Sequence, residues 1–316
     1  MTQDPETIER LYRQLHRIRR VEEEIIRVYP SDKIKSPVHL SIGQEAVAVG
    51  VCDHLRPTDI LYGTYRGHAI YLAKGGDLDR MMAELYGKAD GLAAGKAGSM
   101  HLGDVGAGMI GTSAIVGTTL PLSLGHAFAL KQRKSDAIVC VFFGEGAMDE
   151  GVFHETANFA SLRKLPILFV CENNHYAIYS HVKDRMPAVN LCERAEAYRI
   201  PARRIPGGDI FAIHAAAAEA VAAVRAGGGP RFLECETHRW RDHVGPGEDL
   251  HIGYRTAADL KPWIDNDQNA RLAALIGESA RRRIEREVEA ELARAIAFAE
   301  NSPFPAAATM YEHVYK

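Results

Sequence analysis

Three groups of residues in this chain have the types and spacing to do chemistry together. Glu145 lies in Gly144-Glu-Gly-Ala147, and Asn174 closes Glu172-Asn-Asn174, about 30 residues on, the length of one βαβ unit. Carboxylate and amide oxygens suit a hard cation such as Mg²⁺, which normally arrives with a phosphate. Tyr62-Gly-Thr-Tyr-Arg-Gly-His68 reads as a polar loop rich in donors, able to hold an anion through its guanidinium. His238-Arg-Trp-Arg-Asp-His243 adds titratable groups beyond a strand-like run.

The elements around these groups explain how they could meet. Apolar runs Ala137–Phe143 and Ile167–Cys171 bracket a helix-like segment from about Asp149 to Leu162, which is a strand–helix–strand pattern. In an open parallel sheet the carboxyl ends of strands form the ligand crevice, so Glu145 and Asn174 would face the same space. Residues Ile8 to Val28 place apolar side chains at three-to-four spacing and predict an amphipathic helix that ends before Pro30. A second helix is expected around Gly43 to Cys52, and others over Leu120–Arg133, Ile213–Arg225 and Glu278–Glu300. The charge run of the last one reads as a solvated face. Arg231–Thr237 predicts a further short strand.

The Gly-rich segment Lys88 to Gly117 reads as a long functional loop. It contains Gly106-Ala-Gly-Met-Ile-Gly111, a match to the dinucleotide fingerprint. No strand is expected before it and no helix after it, so the match lacks the context that gives it meaning.

Composition bounds the rest. The 316 residues are 47% hydrophobic, enough for one large α/β domain, and 38 basic residues nearly balance 41 acidic ones. That balance argues against a nucleic-acid or membrane-surface partner. No apolar run approaches the ~18 residues of a membrane span, and the N-terminus lacks signal-peptide features. The expectation is a soluble cytoplasmic protein. Five cysteines without a CxxC pair read as small buried core residues. The partition expected is one domain over 1–316, with a helical extension 1–55, a core 56–260 and a C-terminal helical extension 261–316.

In this order and spacing the motifs resemble the α subunit of the decarboxylating component of 2-oxo acid dehydrogenase complexes, of the pyruvate or acetoin dehydrogenase type. Gly144-Glu-Gly followed by Asn174 is similar to the family's thiamine-diphosphate motif. The likeness also takes in His39-Leu with Gly43-Gln-Glu-Ala46, Tyr65-Arg66 with His68, Gly98-Ser-Met-His-Leu102, Ile115-Val-Gly117, Lys164-Leu-Pro-Ile167, the Arg239 to His243 loop, Tyr254-Arg-Thr256 and the terminal His313-Val-Tyr-Lys316.

The resemblance implies a doubly wound, mainly parallel α/β fold that binds thiamine diphosphate. It implies Mg²⁺ held by Glu145, Asn174 and the carbonyl of Tyr176. Gly144, Gly146 and Ala147 would let the backbone approach the diphosphate, with the helix after Ala147 directing its amides there. Tyr65, Arg66 and Arg239 would touch the diphosphate, and Ala114 and Val116 the aminopyrimidine and the bend of the cofactor. His243 would serve both cofactor and acyl transfer, with His39 and His68 as further catalytic histidines. Position 145 departs from the family's usual Asp, and its extra methylene requires either that the arm refold or that the octahedral ion shift slightly. Asp242 and Val244 replace a Gly and a Ser, which removes a hydroxyl phosphorylated in some relatives.

In this family the carboxylate that activates the cofactor comes from a separate β subunit, so an α2β2 heterotetramer is implied. The favoured activity is decarboxylation of a 2-oxo acid, pyruvate first, with acyl transfer to lipoamide on a lipoyl-bearing acyltransferase. Acetoin cleavage, acyloin synthesis and split transketolase-like ketol transfer remain open. So does a non-catalytic scaffold that lost its metal through Glu145.

Overall fold

Both faces of the central strands are apolar, and that dictates the layering. Val139, Val141 and Phe143 enter one buried cluster while Cys140 and Phe142, between them, enter another. Strands buried on both faces belong in a parallel sheet covered by helices on each side. The computed structural model describes residues 4–187 and 189–312 and has this arrangement. The terminal His313–Lys316 motif lies outside the described residues.

The strands are β1 (Ile60–Thr64), β2 (Met109–Ser113), β3 (Val139–Gly144), β4 (Ile167–Asn173), the short β5 (Tyr176–Ala177) and β6 (Ser180–His181), then β7 (Ala202–Ile205) and β8 (Arg231–Glu236). Six of them form one sheet in the order β2-β1-β3-β4-β8-β7, every neighbouring pair parallel. β5 and β6 make a separate antiparallel hairpin. The helices are α1 (Pro5–Val28), α2 (Glu45–Cys52), α3 (His68–Ala73), α4 (Leu78–Leu85), α5 (Thr119–Gln132), α6 (Gly151–Leu162), α7 (Val182–Arg185), α8 (Leu191–Glu196), α9 (Ile210–Arg225), α10 (Ala257–Asp265), α11 (Gln268–Leu275) and α12 (Glu278–Asn301). Side chains of α1, α2, α4, α9 and α12 fill one side of the sheet, and those of α5, α6 and α8 the other. The doubly wound α/β fold expected from the sequence is the one observed. The terminal helices α1 and α12 share the larger core cluster with the sheet.

Several local expectations need correction. Tyr62-Gly-Thr64 is part of strand β1, not a loop, because Leu61, Tyr62 and Gly63 are buried between two parallel neighbours. The Gly-rich segment is a loop only as far as Gly108. It then supplies the edge strand β2, whose pairing with β1 no local periodicity announces. A 3₁₀ turn, Glu145–Asp149, separates β3 from α6, so the helix starts at Gly151 rather than directly after Ala147. Strand β7 was not foreseen; its Arg203 and Arg204 are exposed on a sheet edge. The acidic face of α12 is only partly solvated: Arg17 donates to Glu291 at 2.8 Å, and Arg13 and Arg20 of α1 pair with Glu287 and Glu289.

From β1 the chain runs outward to β2 on one side, then returns to β3 on the other. That reversal opens a crevice at the carboxyl ends of β1 and β3, the place where ligands bind in such sheets. The β3–β4 register sets Gly144 level with Glu172, so both strand ends open at the same height.

Candidate functional site

A cavity of about 240 Å³ sits at this crevice, walled by the segments that follow β1, β2, β3 and β4. Tyr65 and Arg66 come from the first, Val116 from the second, Gly144, Glu145, Gly146 and Ala147 from the third, and Asn174 and Tyr176 from the fourth. Ala114 lies between wall residues Ser113 and Ile115 but is not itself in the wall. Widely separated residues therefore converge because four parallel strands end together.

The oxygen groups are held by specific hydrogen bonds. Asn174 donates its Nδ2 to Gln44 Oε1 at 3.0 Å, and its Oδ1 accepts the Tyr176 amide at 3.1 Å. This fixes which side of the amide presents oxygen. Glu145 is 1% exposed, and burial raises its carboxyl above the usual range although Arg185, 2.5 Å away, opposes the shift. Glu172 is also in the wall; burial pushes it up to about 7, against the Arg66 charge and a Gln44 hydrogen bond. Gly144 faces open space where a side chain would intrude, and a Cβ on Gly146 would stand 2.9 Å from that of Ala177. Glycine at 146 is what lets the β5–β6 hairpin close against the 3₁₀ turn.

Arg66 is buried and pairs with no carboxylate among the described residues. Its guanidinium donates to Leu40 O at 2.6 Å and His243 O at 3.1 Å. Burial, with the Arg239 charge nearby, lowers it to about 10. A buried cation satisfied only by carbonyls, on a cleft with open donors, has spare capacity for an anion. Arg239 differs: it is outside the cleft wall, and its guanidinium is engaged by Asp249, Arg241 O, Ile178 O and the Tyr254 hydroxyl. In this geometry Arg239 braces the 238–255 loop.

The three histidines separate in the same way. His243 is in the cleft wall, and its ring lies 5.6 Å from Tyr65 and 5.2 Å from His39. His39 packs behind, 4.4 Å from the Tyr65 ring, with its Nδ1 buried and without a partner. Burial, then the Arg66 charge, lowers both imidazoles to about 3, so both are neutral near pH 7. His68 is fully buried away from the cleft, between Glu22 Oε1 at 3.2 Å and Ser99 Oγ at 2.8 Å. That position gives it a structural network and no route to a ligand.

Sequence reasoning did not single out Gln44, Glu172 or Arg185 for a site role, nor the Asp249–Arg255 pair that anchors the histidine loop. Arg255 donates to Asp249 at 2.6 Å, and both are buried. Burial opposes ionisation of Asp249, but hydrogen bonds from Tyr254 and Arg255 outweigh it and hold the carboxyl below its usual range. Gln44 and Glu172 were within reach, since both stand in quoted motifs; Arg185 and the Asp249–Arg255 pair depend on partners that only folding identifies.

All three oxygen donors suit a hard cation, and the uncompensated Arg66 with the open face of Gly144 suits a diphosphate beside it. The residues present thus fit a metal–diphosphate group. No described helix is long and apolar enough to cross a membrane. The family model of the dehydrogenase E1 component matches residues 13–308. The α subunit of acetoin:2,6-dichlorophenolindophenol oxidoreductase of Bacillus subtilis is 37% identical, over 96% of this chain and 92% of its own. That of Cupriavidus necator is 37% identical over 99% and 95%. The α subunit of the pyruvate dehydrogenase E1 component of Zymomonas mobilis is 36% identical over 98% and 89%. With a family match across nearly its whole length, the chain belongs to the dehydrogenase E1 component family.

Proposed function

We propose that this chain is the α subunit of a cytoplasmic, thiamine-diphosphate- and Mg²⁺-dependent 2-oxo acid dehydrogenase, acting on pyruvate and passing the acyl group to lipoamide. The observation that carries the reading is the convergence of Glu145, Asn174 and Tyr176 with the unpaired Arg66 on one cleft at the switch of strand order. Glu145, Asn174 Oδ1 and the Tyr176 carbonyl would hold the cation. Arg66 and Tyr65 would take the diphosphate oxygens, and Val116 would press on the cofactor's bend. Thiamine diphosphate, when bound, supplies a nucleophilic carbon and an electron sink for decarboxylation. His243, neutral and in the wall, is placed to accept or donate a proton at the reacting end. Arg239 would act through the loop it braces.

The wall is open where Ile115 is 67% exposed and Ile178 is 50% exposed. Apolar groups at the rim of a polar cleft fit a covering protein surface, which supports a β subunit in an α2β2 assembly. On α5, Leu122 and Phe128 also stand exposed. A second reading, cleavage of acetoin, is favoured by the likeness to the acetoin oxidoreductase subunits. Co-expression with the β-type chain, followed by carbon dioxide release from a panel of 2-oxo acids and acetaldehyde release from acetoin, with and without a lipoyl domain, distinguishes them. Neither activity in a complex saturated with Mg²⁺ and thiamine diphosphate would sink both and leave the scaffold reading.

A further inference from the structure

Glu145 has an ion-pair partner that is not part of the cleft wall. Arg185, at the end of α7, places Nη2 2.5 Å from Glu145 Oε1, while its Nη1 pairs with Asp149 at the far end of the same 3₁₀ turn. Asp149 is held a second time by Arg194 Nη1 at 3.1 Å, and Arg194 also donates to Met148 O at 2.9 Å. The Arg185 guanidinium therefore spans the turn that carries Glu145, from an element that follows the hairpin carrying Tyr176. The hairpin is tied in too, through the Val182 amide to His175 O at 2.8 Å. Arg185 is outside the cleft wall and mostly buried.

A glutamate has one more rotatable bond than an aspartate, so an unrestrained arm would reach an octahedral ion through many rotamers and lose affinity on ordering. We infer that Arg185 is a positioning residue: by holding Oε1 it directs Oε2 of Glu145 to the cation and fixes the longer arm at the right reach. This rests on the proposed function, because it presumes that the cleft takes a metal–diphosphate group. It goes further in assigning the role of the carboxylate's second oxygen and of a residue on a separate element. Because Arg185 approaches from outside the wall, its charge is used up on Glu145 and Asp149 rather than offered to the cofactor. The alternative, in which the guanidinium simply competes with the cation for Glu145, gives the opposite sign in the test.

The experiment uses the complex with its β-type partner and reads Mn²⁺ binding, in the presence of thiamine diphosphate, from the loss of the free-ion paramagnetic resonance signal. Arg185→Gln is expected to weaken Mn²⁺ by about 10-fold or more, the usual effect of losing a group that orients a ligand. Arg185→Lys should recover part of that loss, and Asp149→Asn should produce a smaller one. The deciding measurement is the Glu145→Asp background, where the shorter arm no longer reaches Arg185 and the same Arg185→Gln change should shift binding by less than about 2-fold. Unchanged or tighter binding in Arg185→Gln overturns the inference, and so does an undiminished effect in the Glu145→Asp background. Failure of the unaltered complex to bind Mn²⁺ and thiamine diphosphate at all overturns the proposed function itself.

Discussion

The inner end of the cleft and its mouth share the carboxyl end of one sheet yet are built on different terms. At the inner end Glu145, Arg66 and Asn174 are all buried, and each is held by named partners: Arg185, two carbonyls, and Gln44. At the mouth the apolar side chains of Ile115, Val116 and Ile178 stand exposed to solvent. Buried polar and charged groups destabilise the fold unless they are hydrogen-bonded, and at the inner end the chain itself supplies those bonds. An apolar rim carries no such requirement and can await another surface. The contrast indicates that this chain supplies a finished anchor and an unfinished reaction chamber.

The largest effect expected is on the brace between the two ends. Asp249→Ala leaves Arg239 and Arg255 buried without their carboxylate, and should lower stability by about 3–5 kcal/mol in a denaturant titration. A loss below 1 kcal/mol would show that the loop carrying His243 does not depend on this pair. Next comes the anchor: Arg66→Met should weaken thiamine diphosphate by about 2–3 kcal/mol, on the order of 100-fold, in calorimetry of the α/β complex. Retained affinity would mean that the anion is held elsewhere and the contrast is misplaced.

Titration of the histidine layer between anchor and rim gives a smaller effect with a definite sign. The imidazoles of His39 and His243 titrate near 6.5 when unfolded and about 3 when folded, so between those values the unfolded chain binds more protons. Their contribution to stability is complete above pH 6.5 and is lost as pH falls toward 3. His39→Phe, which removes a ring nitrogen that has no partner, should reduce the proton uptake on acid unfolding by about one. The same slope in both proteins would contradict the buried neutral form. The smallest effect on the chain itself is expected from Ile115→Ser, within about 0.5 kcal/mol in its melting profile. The same change should weaken association with the β-type chain, seen in sedimentation. Equal association would remove the distinction between rim and ordinary surface.

How far the sequence reached follows from how local each signal is. β3, β4 and the turns after them were legible because apolar runs broken by Gly-Glu-Gly and Asn-Asn need no distant partner to be recognised. β1 and β2 were hidden because hydroxyl and glycine residues occupy strand positions whose pairing partners lie 48 or 49 residues away. The histidines show the same divide. His243, His39 and His68 have similar claims in a linear reading, but only His243 reaches the cleft wall, and His68 is locked to Glu22 on α1.

By itself the sequence determined the alternation that requires a two-faced parallel sheet, the glycines that clear space beside an acid, and the oxygen-bearing residues at two strand ends. Tertiary structure alone decided which cations remain free. Arg66 and Arg239 are the same residue type in similar polar surroundings, but one is left with carbonyls and the other is taken by Asp249. The choice depends on which oppositely charged group the fold delivers within a few ångströms, because Coulomb energy and desolvation act through distance in space and not along the chain.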